Sequence, residues 1–142
     1  MTDEQSPSFT NDQAFQALRE ACDASQWRYT VSGRSIFALF GSKTGADIHL
    51  SVEVKDGVME FRTRSDSKAP MDKHVECAVA VNVVNKNLSF GSMYMDDAGM
   101  IWFRYSYIFF DACPSIGVIA TIIKMAVETM DRYDDIIIRG IR

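Results

Sequence analysis

The sequence predicts an α+β fold built on an antiparallel sheet, and three observations carry that prediction. Segments with two-residue alternation are joined by short turns, which pairs chain neighbours antiparallel. The clearest such turn is Asp56-Gly57. Apolar residues recur at helical spacing near both ends and once in the middle. The resulting order is α-β-β-β-β-α-β-β-α, with helices segregated from strands.

Residues 1–9 are polar and acidic and read as a disordered lead-in to a single domain over 10–142. Thr10 lies three residues before Gln13, a capping-box spacing. Ala14, Phe15, Leu18, Ala21 and Cys22 then form one apolar stripe, so a helix runs to about Ser25. Trp27, Tyr29 and Val31 alternate with polar residues as a short strand does, and Ser32-Gly33 turns the chain. Residues 36–40 are a dense apolar run of strand length, closed by the loop at 41–45.

The two-residue Asp56-Gly57 turn fixes a register. Val54 faces Met59, Val52 faces Phe61 and Leu50 faces Thr63. On the other side Ser51 faces Arg62, His49 faces Arg64, and Glu53 meets Glu60 with Arg62 near enough to offset the like charges. One side is apolar and the other polar, as in a sheet packed on one face. Residues 65–69 are polar and loop-like.

Pro70 suits the first turn of a helix. Residues 71–84 read two ways, because Val75, Cys77, Val79, Val81 and Val83 also alternate. Pro70 and the length favour helix, although β-branched residues are weak helix formers. A second hairpin spans 88–107 around Asp96-Asp97-Ala98-Gly99. A four-residue loop there puts Phe90, Tyr94, Ile101, Phe103 and Tyr105 on one face and Met93, Met95, Met100 and Trp102 on the other. Both faces are then apolar and need cover. Residues 111–115 read as a loop into a last helix, with Pro114 in its first turn. That helix carries a stripe of Ile119, Ile122, Ile123, Ala126, Met130 and Tyr133 and is followed by an unusually apolar Ile136-Ile137-Ile138.

The chain has 142 residues, 47% hydrophobic and 24% charged, enough for one domain with a real core. A net charge of -4 disfavours nucleic acid and anionic membrane surfaces as partners. Cys22, Cys77 and Cys113 are odd in number and form no CxxC pair, which reads as free thiols in a reducing compartment. No signal peptide or spanning segment is legible, so a cytoplasmic location is expected.

The motifs that would carry chemistry fail on spacing. In Gly41-Ser42-Lys43-Thr44-Gly45, Ser42 stands where a phosphate loop needs Gly, and Phe37 stands at the earlier Gly position. Aligning Gly99 with the sixth position of a calcium loop puts Tyr94, Ala98 and Tyr105 where oxygen ligands belong. His49 and His74 lie in different elements with no Cys at zinc spacing. Cys113 beside Pro114 lacks an identifiable base, so it reads as structural. Nothing in the sequence desolvates Asp111, Asp131, Asp134 or Asp135, which read as solvated helix-end charges. Neither a catalytic set, a cofactor site nor a metal site is predicted.

Several motifs resemble the YbjN-like family of bacterial sensory transduction regulators. They are Val81-Asn82-Val83-Val84-Asn85, Gly91-Ser92-Met93-Tyr94-Met95-Asp96, Gly99-Met100-Ile101-Trp102-Phe103-Arg104 and the closing Met130-Asp131-Arg132-Tyr133. The resemblance covers about residues 10–135. It implies a strongly twisted antiparallel sheet with helices, similar to type III secretion chaperones. It further implies a non-enzymatic protein that forms a homodimer and binds other polypeptides.

The expected contact residues are Val81, Val84, Met93, Met95, Met100 and Trp102, since Met and Trp suit adaptable or anchoring interfaces. Their plain alternative is packing under the protein's own helices. A second reading is a small-ligand sensor with an apolar pocket between sheet and helices, lined by Phe37, Phe61 and Phe103. An enzyme with a site assembled from scattered residues is the third.

Overall fold

A computed structural model describes residues 7–109, 112 and 114–140. The expected order of elements is the observed one. Helix α1 (Pro7–Ala24) leads to strands β1 (Thr30–Ser32), β2 (Ser35–Gly41), β3 (Asp47–Lys55) and β4 (Val58–Lys68). A 3-10 turn (Met71–Lys73) runs into α2 (His74–Lys86), followed by β5 (Ser92–Met95), β6 (Met100–Ile108) and α3 (Ile116–Gly140). The six strands form one antiparallel open sheet in the order β1-β2-β3-β4-β6-β5.

Helix α1 begins at Pro7, ahead of the Thr10 signal. It ends in a Schellman motif: Trp27 N–H donates to Cys22 O and Gln26 N–H to Asp23 O, with Gln26 at φ 62°. Trp27 and Tyr29 therefore belong to the helix exit, not to a strand. Trp27 packs edge-on against Phe40 at 5.5 Å, and Tyr29 donates its hydroxyl to Asp23 at 2.8 Å.

The β3–β4 hairpin has the register that Asp56-Gly57 predicts, from Val54 opposite Met59 to His49 opposite Arg64. Both turn residues have positive φ, 53° and 80°, as a type I′ turn requires. Asn11 of α1, itself buried, accepts a hydrogen bond from Gly57 N–H at 2.9 Å and so ties the turn to the helix layer.

Residues 65–68 continue β4, where the sequence reads as loop. Asp134 of α3 accepts from both Ser65 and Ser67 hydroxyls, at 2.7 and 3.0 Å, and holds this polar stretch extended. Pairing with β6 shifts between Arg64 and Lys68. Pro114 precedes α3 instead of opening it. Ser115 caps that helix, its hydroxyl accepting from Val118 N–H at 3.1 Å. The apolar 136–138 segment is the last part of α3, and Ile137 is fully buried.

All three helices cover one face of the sheet. Ala14, Leu18, Ala21 and Cys22 of α1 meet Ile119, Ile122 and Ile123 of α3 over Ile36, Val52 and Phe61. Cys77, Val81 and Val84 of α2 meet Ala126, Met130 and Ile137 of α3 over Met93, Ile101 and Phe103. Phe61 and Phe103, fully buried, each contribute roughly 2–3 kcal/mol. Helix α3 thus joins two halves of one core, and the opposite face of the sheet carries no helix among the described residues.

Candidate functional site

Helix α2 divides the valines that had suggested a strand. At 100° per residue, Cys77, Val81 and Val84 turn inward, whereas Val75, Val79 and Val83 recur every fourth residue on the outer side, preceded by exposed Met71 in the 3-10 turn. The outer four are 84%, 75%, 60% and 50% exposed. They form a continuous apolar stripe along a helix whose other side is core. This is the surface that the sequence reading missed, although the i, i+4 spacing held the signal.

The hairpin of β5 and β6 differs from its predicted register by one residue. Met93 pairs with Phe103, Tyr94 with Trp102 and Met95 with Ile101. The loop is three residues, because Gly99 adopts φ 89° and Asp96 closes it: Asp96 N–H donates to Met100 O, and Gly99 N–H to Asp96 O. A slip of one residue moves each side chain to the opposite face. Met93 and Met95 therefore join Ile101 and Phe103 under the helices, while Tyr94 and Trp102 share the open face.

These facts correct the expected contact set. Val81, Val84 and Met93 are buried in this chain's own core, so a partner docking on the folded chain does not reach them. Met95, Met100 and Trp102 are half-buried. The edge of β5 is also occupied. Asn85 Nδ2 donates to Met93 O at 2.9 Å, and Met93 N–H donates to Asn85 Oδ1 at 2.7 Å.

The pocket expected between sheet and helices is not formed by Phe37, Phe61 and Phe103. Phe61 and Phe103 are solid core, and Phe37 lies on the opposite face. That open face instead carries a shallow concavity of about 710 Å³ with Arg28, Phe37, Leu39, His49, Arg64 and Trp102 in its lining. Phe37 and Leu39 are 46% and 60% exposed. The Arg64 guanidinium lies 5.8 Å from the Trp102 ring centre, and Trp102 stacks on Tyr94 at 6.2 Å. Arg104 covers the Tyr94 ring at 5.7 Å. Arg62 and Arg104 pair directly across β4 and β6, and Glu60 offsets their repulsion from 2.9 and 3.7 Å.

Other reactive groups have structural partners. His49 Nε2 lies 2.8 Å from Asp66 Oδ1, and His74 Nε2 is 3.2 Å from Ala69 O. Lys43 N–H, within the failed phosphate-loop motif, donates to Asp131 at 3.0 Å and fastens the β2–β3 loop to α3. Asp134 is desolvated, contrary to the sequence reading: burial raises its pKa, against the two serine hydrogen bonds. Its partners make it a clamp between β4 and α3. Asp111 and Cys113 lie outside the described residues. Among the described residues, no group of three His, Cys, Asp or Glu side chains is arranged to hold a metal ion, and no helix is long and apolar enough to cross a membrane.

A family model described as "YbjN: Putative bacterial sensory transduction regulator" matches residues 15–139. Among solved structures, the chain is similar to the crystal structure of YbjN, "a putative transcription regulator from E. coli". The TM-score is 0.65 at 10% sequence identity, over 89% of this chain and 89% of that one. At that identity the likeness is one of fold. No curated protein matches the chain in sequence. The family model spans nearly the whole of the sheet and its helices, and the chain belongs to the YbjN family.

Proposed function

We propose that this protein is a non-catalytic regulatory adaptor, chaperone-like in its use of apolar surface, that works as a homodimer and binds another polypeptide in the cytoplasm. The observation that carries the reading is the exposed Met71, Val75, Val79 and Val83 stripe. A monomer gains nothing from four large apolar side chains in a row on a helix surface.

A two-fold axis through Val79 suits the stripe. It sets α2 antiparallel to its copy, with Val75 opposite the partner's Val83. The same register sets Asp72 opposite the partner's Lys86, so charge and apolar pattern agree. Both copies together bury eight such side chains, roughly 10–20 kcal/mol gross at full burial. Association costs about 4–15 kcal/mol, so the balance favours a dimer. Met100 and Trp102, half-buried on the open face of the β5–β6 hairpin, remain for a polypeptide partner, whereas Met95 turns to the core side with Ile101. The family description as a sensory transduction regulator accords with a binding role.

Light scattering at micromolar concentration tests the reading. The wild type is expected at dimeric mass, with Val79→Glu weakening the dimer on the order of tenfold or more. A wild type that stays monomeric at tens of micromolar, and that captures no polypeptide, overturns it. The small-ligand reading loses its expected pocket between sheet and helices, since Phe61 and Phe103 are packed core.

A further inference from the structure

We propose that the open face of the sheet is a binding site for a small amphipathic anion: an apolar, preferably flat, body bearing a carboxylate or similar acidic head. This site lies on the side of the sheet away from α2 and does not depend on the α2 dimer, although it shares Trp102 with the polypeptide surface proposed above.

One row across the sheet carries the argument. Leu39 pairs with His49, His49 with Arg64, Arg64 with Trp102, and Trp102 with Tyr94. All five side chains therefore stand on one face of β2, β3, β4, β6 and β5. The row passes from an apolar end through two basic groups to an aromatic end. Phe37 stands two residues from Leu39 on the same face of β2 and widens the apolar end. A solvent-facing sheet surface is ordinarily polar, so Phe37 and Leu39 mark an exception.

The charge is exceptional too. The whole chain carries -4, yet Arg28, Arg64 and His49 line this concavity and no carboxylate does. Arg28 makes no ion pair to a described residue. Asp66, at the edge, is a single exposed carboxylate serving both His49 and Arg64, at 2.8 and 3.3 Å. Packing on Trp102 holds the Arg64 guanidinium in place before any ligand arrives, which lowers the cost of recruiting it.

Size selects the ligand class. A volume of about 710 Å³ lies within the range of small-molecule sites, roughly 300–1,000 Å³. With strands about 4.8 Å apart, the acidic head at His49 and Arg64 stands about 5–10 Å from a body resting on Phe37 and Leu39.

Anilinonaphthalene sulfonate is a suitable probe, with the neutral N-phenyl-naphthylamine as its uncharged counterpart. The sulfonate is expected to bind once per chain, about tenfold or more tighter than the neutral dye, and to weaken with added salt. Arg64→Gln is expected to cost about tenfold and Leu39→Glu more. Leu39→Glu is expected to leave the thermal melt unchanged because Leu39 is exposed. The Arg64→Gln melt, where the Trp102 and Asp66 contacts are also lost, is read beside its binding. Val79→Glu is expected to leave binding intact. Equal binding of the neutral dye overturns the proposal, as does loss of binding in Val79→Glu with Arg64→Gln indifferent, which would put the dye on α2. Displacement of the dye by poly-glutamate where 2-naphthoate fails also overturns it, in favour of an acidic polypeptide.

Discussion

The side-chain amide of Asn85 makes both backbone hydrogen bonds that Met93 turns outward from the sheet, donating to the carbonyl at 2.9 Å and accepting from the N–H at 2.7 Å. A side chain at the end of α2 thus stands in for a seventh strand beside β5. Exposed edges invite pairing with other chains, and this edge is closed at its second residue. Asn85→Ala is expected to cost about 1–3 kcal/mol in urea unfolding, the penalty for leaving two part-buried backbone groups unpaired. It is also expected to raise aggregation on heating, read by light scattering. Unchanged stability and scattering would refute the role.

Gly99 sets the register of the β5–β6 hairpin. With φ at 89°, a Cβ there would lie 2.6 Å from Ala69 O and 2.8 Å from His74 Nε2. Gly99→Ala is expected to destabilise the protein by about 2 kcal/mol or more, from backbone strain and this close approach together. Gly117, in the first turn of α3, has open space around its Cα. Gly117→Ala is expected to stabilise by roughly 0.5 kcal/mol through helix propensity. Chemical denaturation of the two variants measures the contrast.

Asp96 makes the same hairpin acid-sensitive. Burial on its own would raise its pKa. Hydrogen bonds from the Trp102 indole and from the Met100, Ala98 and Gly99 N–H groups outweigh that and hold it below the ordinary carboxylate value. A carboxyl depressed in the folded state contributes stability above its unfolded pKa and loses it as pH falls through the folded one. Asp96→Ala is expected to cost about 1 kcal/mol at pH 7 through lost hydrogen bonds. That gap should close as the pH falls below about 3.8, the ordinary Asp value. Denaturation curves across pH 2.5–7, about the accessible acid range, give the measurement.

Cys22 and Cys77 are expected to be inert in the native state. Burial pushes the Cys22 thiol up to about 11, with Asp23 adding to the shift. Burial also raises Cys77, with a further contribution from Asp134. In a Cys113→Ser background, Ellman's reagent at about pH 8 should find no thiol before unfolding and both afterwards. Because the folded pKa is raised, the stability Cys22 contributes is present below its ordinary pKa of 9.0 and is lost as pH rises toward 11.

Much of the fold was legible because local chemistry decided it. Asp56-Gly57 can close a hairpin only through a tight turn, and that turn fixed each pair from Val54–Met59 to His49–Arg64. Pro70 and length separated helix from strand over α2, where alternation alone favoured neither. Of the stripes on α1 and α3, Ala14, Leu18, Ala21, Cys22, Ile119, Ile122, Ile123, Ala126 and Met130 are buried, while Phe15 and Tyr133 are half-buried.

Tertiary structure decided what turned on a single residue of register or on partners far away in the chain. Placing Gly99 outside the regular pairing moved Met93 and Met95 into the core and Tyr94 to the open face, because side chains alternate with a period of two. Asp134 drew Ser65 and Ser67 into β4 from about 70 positions away, a contact no local pattern encodes. Local patterns were enough for the order of elements and the register of the first hairpin, though not for the limits of β1 and β4. Packing decided which valines of α2 stay bare and which side of the sheet stays open, because three helices crowd onto one face and, among the described residues, leave the other with Phe37, Leu39 and its arginines uncovered.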